Sequence, residues 1–223
     1  DITKFADLWV PVRSGTDASF LLACIHVILK EFHVEKKTPY FIDYTKQYTN
    51  LPFLVILDEQ DDGKYLPGRF LRASDIKEFS GEENAEWKMP MFDASGALRL
   101  PGGSVGFRWE KEHSGNWNLK NKDVTTGVDF DPLLTCLDGE YDEAQVKFAD
   151  FTHTYSTDLG ATEGQGVPAI AATRGVPSRT VTTVDGKTLR VTTGYDMMMA
   201  QFGVARGLGG EYPAGYDDAD KPF

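Results

Sequence analysis

The sequence predicts an α/β fold, in which a strand, a turn and a long helix open the chain and a β-hairpin-rich, partly irregular stretch follows. Three features carry that reading. Residues Ala18 to Phe32 contain neither Gly nor Pro and are rich in helix formers. Phe53-Leu-Val-Ile-Leu57 is an uninterrupted apolar run of strand length. From Asp61 onward, turn dipeptides recur between short β-prone runs, at the spacing of hairpins and not of βαβ units.

In chain order, Leu8-Trp-Val10 is an apolar extended run that leads through a Pro into the polar turn Arg13-Ser-Gly-Thr-Asp17. Thr16 or Asp17 is expected to cap the helix that follows, by accepting a bond from its free backbone N–H groups. Phe20, Leu21, Cys24, Ile25, Val27, Ile28, Leu29 and Phe32 surround most of this helix, the pattern of one sandwiched between a sheet and other elements. A second helix runs from Pro39, a favourable first-turn residue, to Tyr48, with Phe41, Tyr44 and Tyr48 on one face.

The strand at Phe53 to Leu57 turns at Asp61-Asp-Gly63 into Tyr65 to Leu71. Further turns are predicted at Ala94-Ser-Gly96, Pro101-Gly-Gly103 and Asp185-Gly186, the last joining Thr180-Val-Thr-Thr-Val184 to Thr188-Leu-Arg-Val-Thr192. Between 111 and 180 scattered Gly, Thr and Asp predict irregular structure around clusters such as Val146 to Phe151. Tyr195 to Gly203 is a short final helix, and 207–223 is a Gly/Pro/Asp tail. The expected division is therefore an α/β part at 1–57, a β-rich insertion at 58–194, and a helix with tail at 195–223.

Lys and Arg number 23 against 34 Asp and Glu, a formal charge of −11 with no local basic patch, which argues against nucleic acid or an anionic membrane surface as partner. The longest apolar run, Phe20 to Leu29, is about half the ~20 residues that span a bilayer. Cys24 and Cys136 lack the paired spacing of a metal or cluster site and favour a reducing compartment.

Most chemistry is offered by the turn before the first helix. A helix N-terminus presents unpaired N–H groups and partial positive charge, and Gly15 lets a ligand approach the backbone, so a phosphate or a nucleotide edge suits this place. An ordinary capped helix is the competing reading.

The same segment carries a resemblance. Ala6-Asp-Leu-Trp-Val-Pro-Val-Arg-Ser-Gly-Thr-Asp-Ala18, followed by His26-Val-Ile-Leu-Lys-Glu-Phe-His33, resembles the molybdopterin oxidoreductase family. Tyr40 to Val55, Gly68-Arg-Phe-Leu-Arg-Ala-Ser-Asp75, Gly103-Ser-Val-Gly-Phe-Arg-Trp109, Trp117-Asn-Leu119, Val191-Thr-Thr-Gly-Tyr-Asp196 and Tyr216-Asp-Asp218 narrow it to the alpha-subunit family of respiratory, membrane-associated nitrate reductases. The resemblance weakens between about 120 and 180. It implies that 1–57 is part of a Rossmann-like molybdopterin-dinucleotide-binding domain and that the chain is an internal fragment, in keeping with the absence of Met at position 1.

It also implies a molybdenum bis(molybdopterin guanine dinucleotide) cofactor, and a 4Fe-4S cluster bound outside this chain. Nitrate is the implied substrate; the rest of the alpha subunit, an iron–sulfur beta subunit and a membrane-anchoring gamma subunit are the implied partners, with the enzyme on the cytoplasmic face of the membrane and the outer face as the alternative. Carried over by motif, Gly15 and Thr16 give close backbone and hydroxyl contacts, and Asp17 accepts hydrogen bonds from the amidine edge of guanine. No catalytic or metal-ligating residue is assigned. The alternatives are nitrite oxidation within the same family, a free-standing nucleotide-binding module, and a structural interaction domain in which Asp17 is only a cap.

Other polar groups have plain readings. His26 and His33 share a helical face but lack a third ligand. Asp58, Glu59, Asp61 and Asp62 lack a spaced calcium loop and suit a solvated hairpin turn. Met197-Met-Met199 is gap-filling core, and Asp217, Asp218 and Asp220 belong to the tail.

Overall fold

The computed structural model describes residues 2–102, 120–148 and 172–211. The motifs at 103–109, 117–119 and 216–218, the end of the apolar cluster at 149–151, and Asp217, Asp218 and Asp220 lie outside them.

A 3-10 turn at Ile2–Phe5 precedes the apolar segment Leu8 to Val10, which pairs with no described strand and is exposed, Trp9 by 68%. Helix α1 (Asp17–Ile28) widens into a π-helical stretch at Leu29–Glu35, so the predicted helix is present with a changed pitch at its end. The expected sandwiching is not found among the described residues. Phe20, Leu21, Ile25, Val27 and Ile28 are all exposed, because within these residues the helix meets its neighbours mainly through His26, Leu29 and His33. Helix α2 (Pro39–Tyr48) begins at its Pro. Its outer face carries Tyr40, Tyr44 and Tyr48, with rings 6.3 Å and then 4.9 Å apart, whereas Phe41 turns inward onto Phe32 and His33.

Strands β1 (Leu54–Glu59) and β2 (Tyr65–Phe70) form the hairpin predicted around Asp61-Asp-Gly63, where Gly63 takes φ +74°. The turn predicted at Ala94-Ser-Gly96 joins β3 (Met91–Phe92) to β4 (Leu98–Arg99). Pro101–Gly102 is not a turn but strand β5, paired with β6 (Lys120–Asp123). Three more strands follow, β7 (Asp142–Phe148), β8 (Ala172–Thr182) and β9 (Thr188–Thr193), then helix α3 (Gly194–Gln201) and the short β10 (Gly210–Glu211).

β7 and β8 replace the irregular structure expected in that stretch. Gly175 and Pro177 disguise an 11-residue strand, yet both keep their register opposite Gln145 and Glu143. β8 also pairs with β9, so β8-β7-β2-β1-β9 closes into a ring, with β10 added beside β8. All pairings in the ring are antiparallel except β2 with β7. The fold is mixed α and β, as expected.

Both faces of β1 are covered, which explains its unbroken apolar run. Leu54 and Ile56 pack with Leu71, Phe79, Phe92 and Val191, while Leu57 packs with Val146, Phe148 and Val176. A third cluster joins Leu29, Leu134, Tyr195, Met199 and Val204 beneath the helices. Met199 is fully buried, with Met197 and Met198 packed at the edges of two clusters, as gap-filling core should be.

Candidate functional site

The Arg13 to Asp17 turn closes on itself. The Thr16 amide donates to the Arg13 carbonyl at 3.1 Å, and the Thr16 hydroxyl donates to the same oxygen at 2.7 Å. That second bond corrects the expected cap: the hydroxyl points back into the turn, and α1 starts with no side-chain cap. Asp17 is the first helical residue, not the residue before the helix. Its exposed carboxylate makes no hydrogen bond or ion pair with a described residue.

Gly15 takes φ +84°, and a Cβ built there would meet nothing within 4 Å. The left-handed backbone therefore requires glycine, and the space beside it is open. Helix amides of the first turn, which have no partner inside the helix, face the same region. Carboxylate acceptors, amide donors and an unobstructed backbone thus stand together on one exposed turn. Such a set binds a polar ligand edge and moves no proton of its own.

The histidines are packing residues. His26 Nδ1 lies 2.7 Å from the Phe202 carbonyl, and His33 lies between Phe41 and Tyr195, with burial holding its pKa below the usual histidine value. Asp62 sits at the solvated β1–β2 turn and pairs with Lys147 at 2.6 Å. Among the described residues no group of His, Cys, Asp or Glu is arranged to hold a metal ion.

Sequence reasoning missed two arrangements. One is the Asp196 carboxylate, which is fully buried and takes bonds from the Arg206 guanidinium, the Thr135 hydroxyl and the Cys136 amide. The other is the Arg179 guanidinium, seated beside Gly96 and Gly139. Each is assembled from distant segments, and the only local hint is Gly96, at a predicted turn beside the second.

The chain has counterparts in known proteins. The chain is 39% identical over 209 residues to the respiratory nitrate reductase 1 alpha chain of Escherichia coli, with 93% of this chain covered. It is 40% identical over 222 residues to the nitrate reductase alpha subunit of Mycobacterium tuberculosis, with 98% covered. The chain belongs to the nitrate reductase alpha-subunit family. The nitrate reductase alpha chain of Bacillus subtilis is 35% identical over 222 residues, with 99% of this chain covered. In all three comparisons the chain spans 16% of the relative's length, so it corresponds to one segment of the alpha subunit. No protein-family profile matches it. The relatives are named alpha chains or alpha subunits, which implies companion subunits. No helix among the described residues is long and apolar enough to cross a membrane.

Proposed function

We propose that this segment holds one guanosine end of a molybdopterin guanine dinucleotide within the catalytic alpha subunit of an enzyme that reduces nitrate to nitrite. The observation that carries the reading is the uncapped turn, with its unpaired Asp17 carboxylate and open approach at Gly15. An ionised carboxylate offers two acceptors, and the amidine edge of guanine offers two adjacent N–H donors, so the residues present fit the group. Thr16 braces the turn through Arg13, and the first-turn amides favour the negative phosphates.

Bound molybdenum would supply the oxygen-atom transfer, as a bis(molybdopterin guanine dinucleotide) cofactor. This chain's own residues bind and orient. In the same reading residues 1–57 complete a Rossmann-like dinucleotide-binding domain with polypeptide beyond the segment, and the exposed Trp9, Leu21 and Ile25 are the surface they bury there. Residues 58–194 form its β-rich insertion and 195–223 its closing helix and tail. The 4Fe-4S cluster belongs to other parts of the subunit, electrons arrive through an iron–sulfur beta subunit, and a gamma subunit anchors the assembly at the cytoplasmic face of the membrane. The isolated segment turns over no nitrate.

The test is Asp17→Ala in the full-length subunit, with guanine dinucleotide content measured after extraction. Lower content in a folded variant is expected; equal content in a folded variant overturns the assignment.

A further inference from the structure

We propose that Arg179 anchors a second binding site, for a small molecule bearing an oxyanion, in the cleft between the β3–β4 turn, loop 138–141 and β8. The cleft has a volume of about 840 Å3 and is lined by Ser95, Gly96, Asp138, Gly139, Asp142 and Arg179 among others. That is the size of small-molecule sites rather than of a single trapped water.

Three observations converge on the guanidinium. Gly96 and Gly139 have φ +85° and +139°, and a Cβ at these positions would lie 2.8 Å from Nη1 and 2.6 Å from Nη2 of Arg179. The side chain thus occupies a slot that exists because both turns carry glycine. Beneath it, the Phe92 ring centroid lies 5.2 Å from Cζ, fixing one face of the plane. Lastly, Nη2 donates to the Asp138 carbonyl at 3.2 Å, while the buried Nε has no partner.

Other arginines are used differently. Arg69, Arg99, Arg190 and Arg206 hold Asp75, Asp93, Asp142 and Asp196 respectively, as ion pairs. Arg179 has no carboxylate among the described residues. A guanidinium has five N–H donors, and one clamped at the wall of a formed cleft with donors unspent matches the planar oxygens of a carboxylate or phosphoryl group. Acidic Asp138 and Glu140 line the same cleft, so the favoured ligand carries N–H donors or positive charge away from its oxyanion.

The experiment is site-resolved labelling of the full-length alpha subunit with phenylglyoxal, read at the Arg179 peptide by mass spectrometry, with inorganic phosphate or acetate as competing anion. Labelling of Arg179 without anion, slowed about tenfold by phosphate or acetate at about ten times its dissociation constant, is the expected result. The more effective of the two anions names the phosphoryl or the carboxylate class. Labelling that neither anion slows overturns the proposal. So does an Arg179 that resists labelling without any anion, since the cleft is then closed by the protein itself.

Discussion

Arg206 donates to Asp196 at 2.6 Å inside the protein, joining the chain beyond α3 to the first turn of that helix. Both side chains are almost completely shielded, and the carboxylate is satisfied further by Thr135 and Cys136. One ion pair thereby ties together α3, its following loop and residues 135–136.

Removing one partner of such a pair strands a buried charge. Arg206→Ala is expected to destabilise the segment by about 3 kcal/mol. Urea unfolding followed by circular dichroism measures this, and a midpoint equal to the parent's contradicts it.

Asp17→Ala behaves in the opposite way. Since α1 has no side-chain cap, the substitution is expected to change stability by no more than about 0.5 kcal/mol. A loss near 1 kcal/mol in the same unfolding assay would restore the capping role.

Acid destabilises in two separate windows. Burial lowers the pKa of His33 from 6.5, so the unfolded state binds more protons once pH drops below that value, and stability declines until the folded histidine also protonates. His33→Gln should flatten this upper window. Below 3.8 a second decline follows from Asp93 and Asp123. Burial pushes both up, but bonds from Ser95 and Arg99 to Asp93, and from Thr125, Thr126 and Arg99 to Asp123, outweigh it and hold both carboxyls low. Their stabilisation is present above 3.8 and lost as pH falls through the lowered values. Thermal unfolding from pH 7 to pH 2 resolves the two steps.

Asp93 is the joint of the β3–β4 turn, accepting from the Ser95 and Ala97 amides and from Arg99 Nε at 2.7 Å. Asp93→Ala leaves those donors without an acceptor and is expected to cost about 2 kcal/mol. Protease nicking between 93 and 99, compared with the parent, reports the same opening locally.

The two free thiols should differ in reactivity. Cys136 is buried, and burial together with the Asp196 charge pushes its thiol up to about 12, whereas Cys24 is only half-buried. Iodoacetamide at neutral pH should label Cys24 and spare Cys136, with both labelled in denaturant. Labelling of Cys136 in the native chain would contradict its placement.

Patterns confined to neighbouring residues were legible in the sequence. Pro39 placed the start of α2, Asp61-Asp-Gly63 and Asp185-Gly186 placed two hairpins, and the mixed α and β content followed. Gly15, Thr16 and Asp17 were singled out from the same local chemistry and do share one exposed turn. Features set by distant partners were not legible. Gly175 and Pro177 discouraged a strand whose existence depends on β7 pairing beside it, and the cap was misread because the Thr16 hydroxyl had a nearer carbonyl to reach. The apolar positions around most of α1 predict a sandwiched helix, yet Phe20, Leu21, Ile25, Val27 and Ile28 stay exposed within the described residues because nothing there covers them.

Ring closure also dictates when this segment can mature during synthesis. Leu54 in β1 stands opposite Thr193 in β9, so the pairing that seals the ring cannot form until nearly the whole segment has left the ribosome. At about 5–20 residues per second, β1 waits on the order of ten seconds with one edge open. Throughout that interval its apolar run offers a template for wrong pairing.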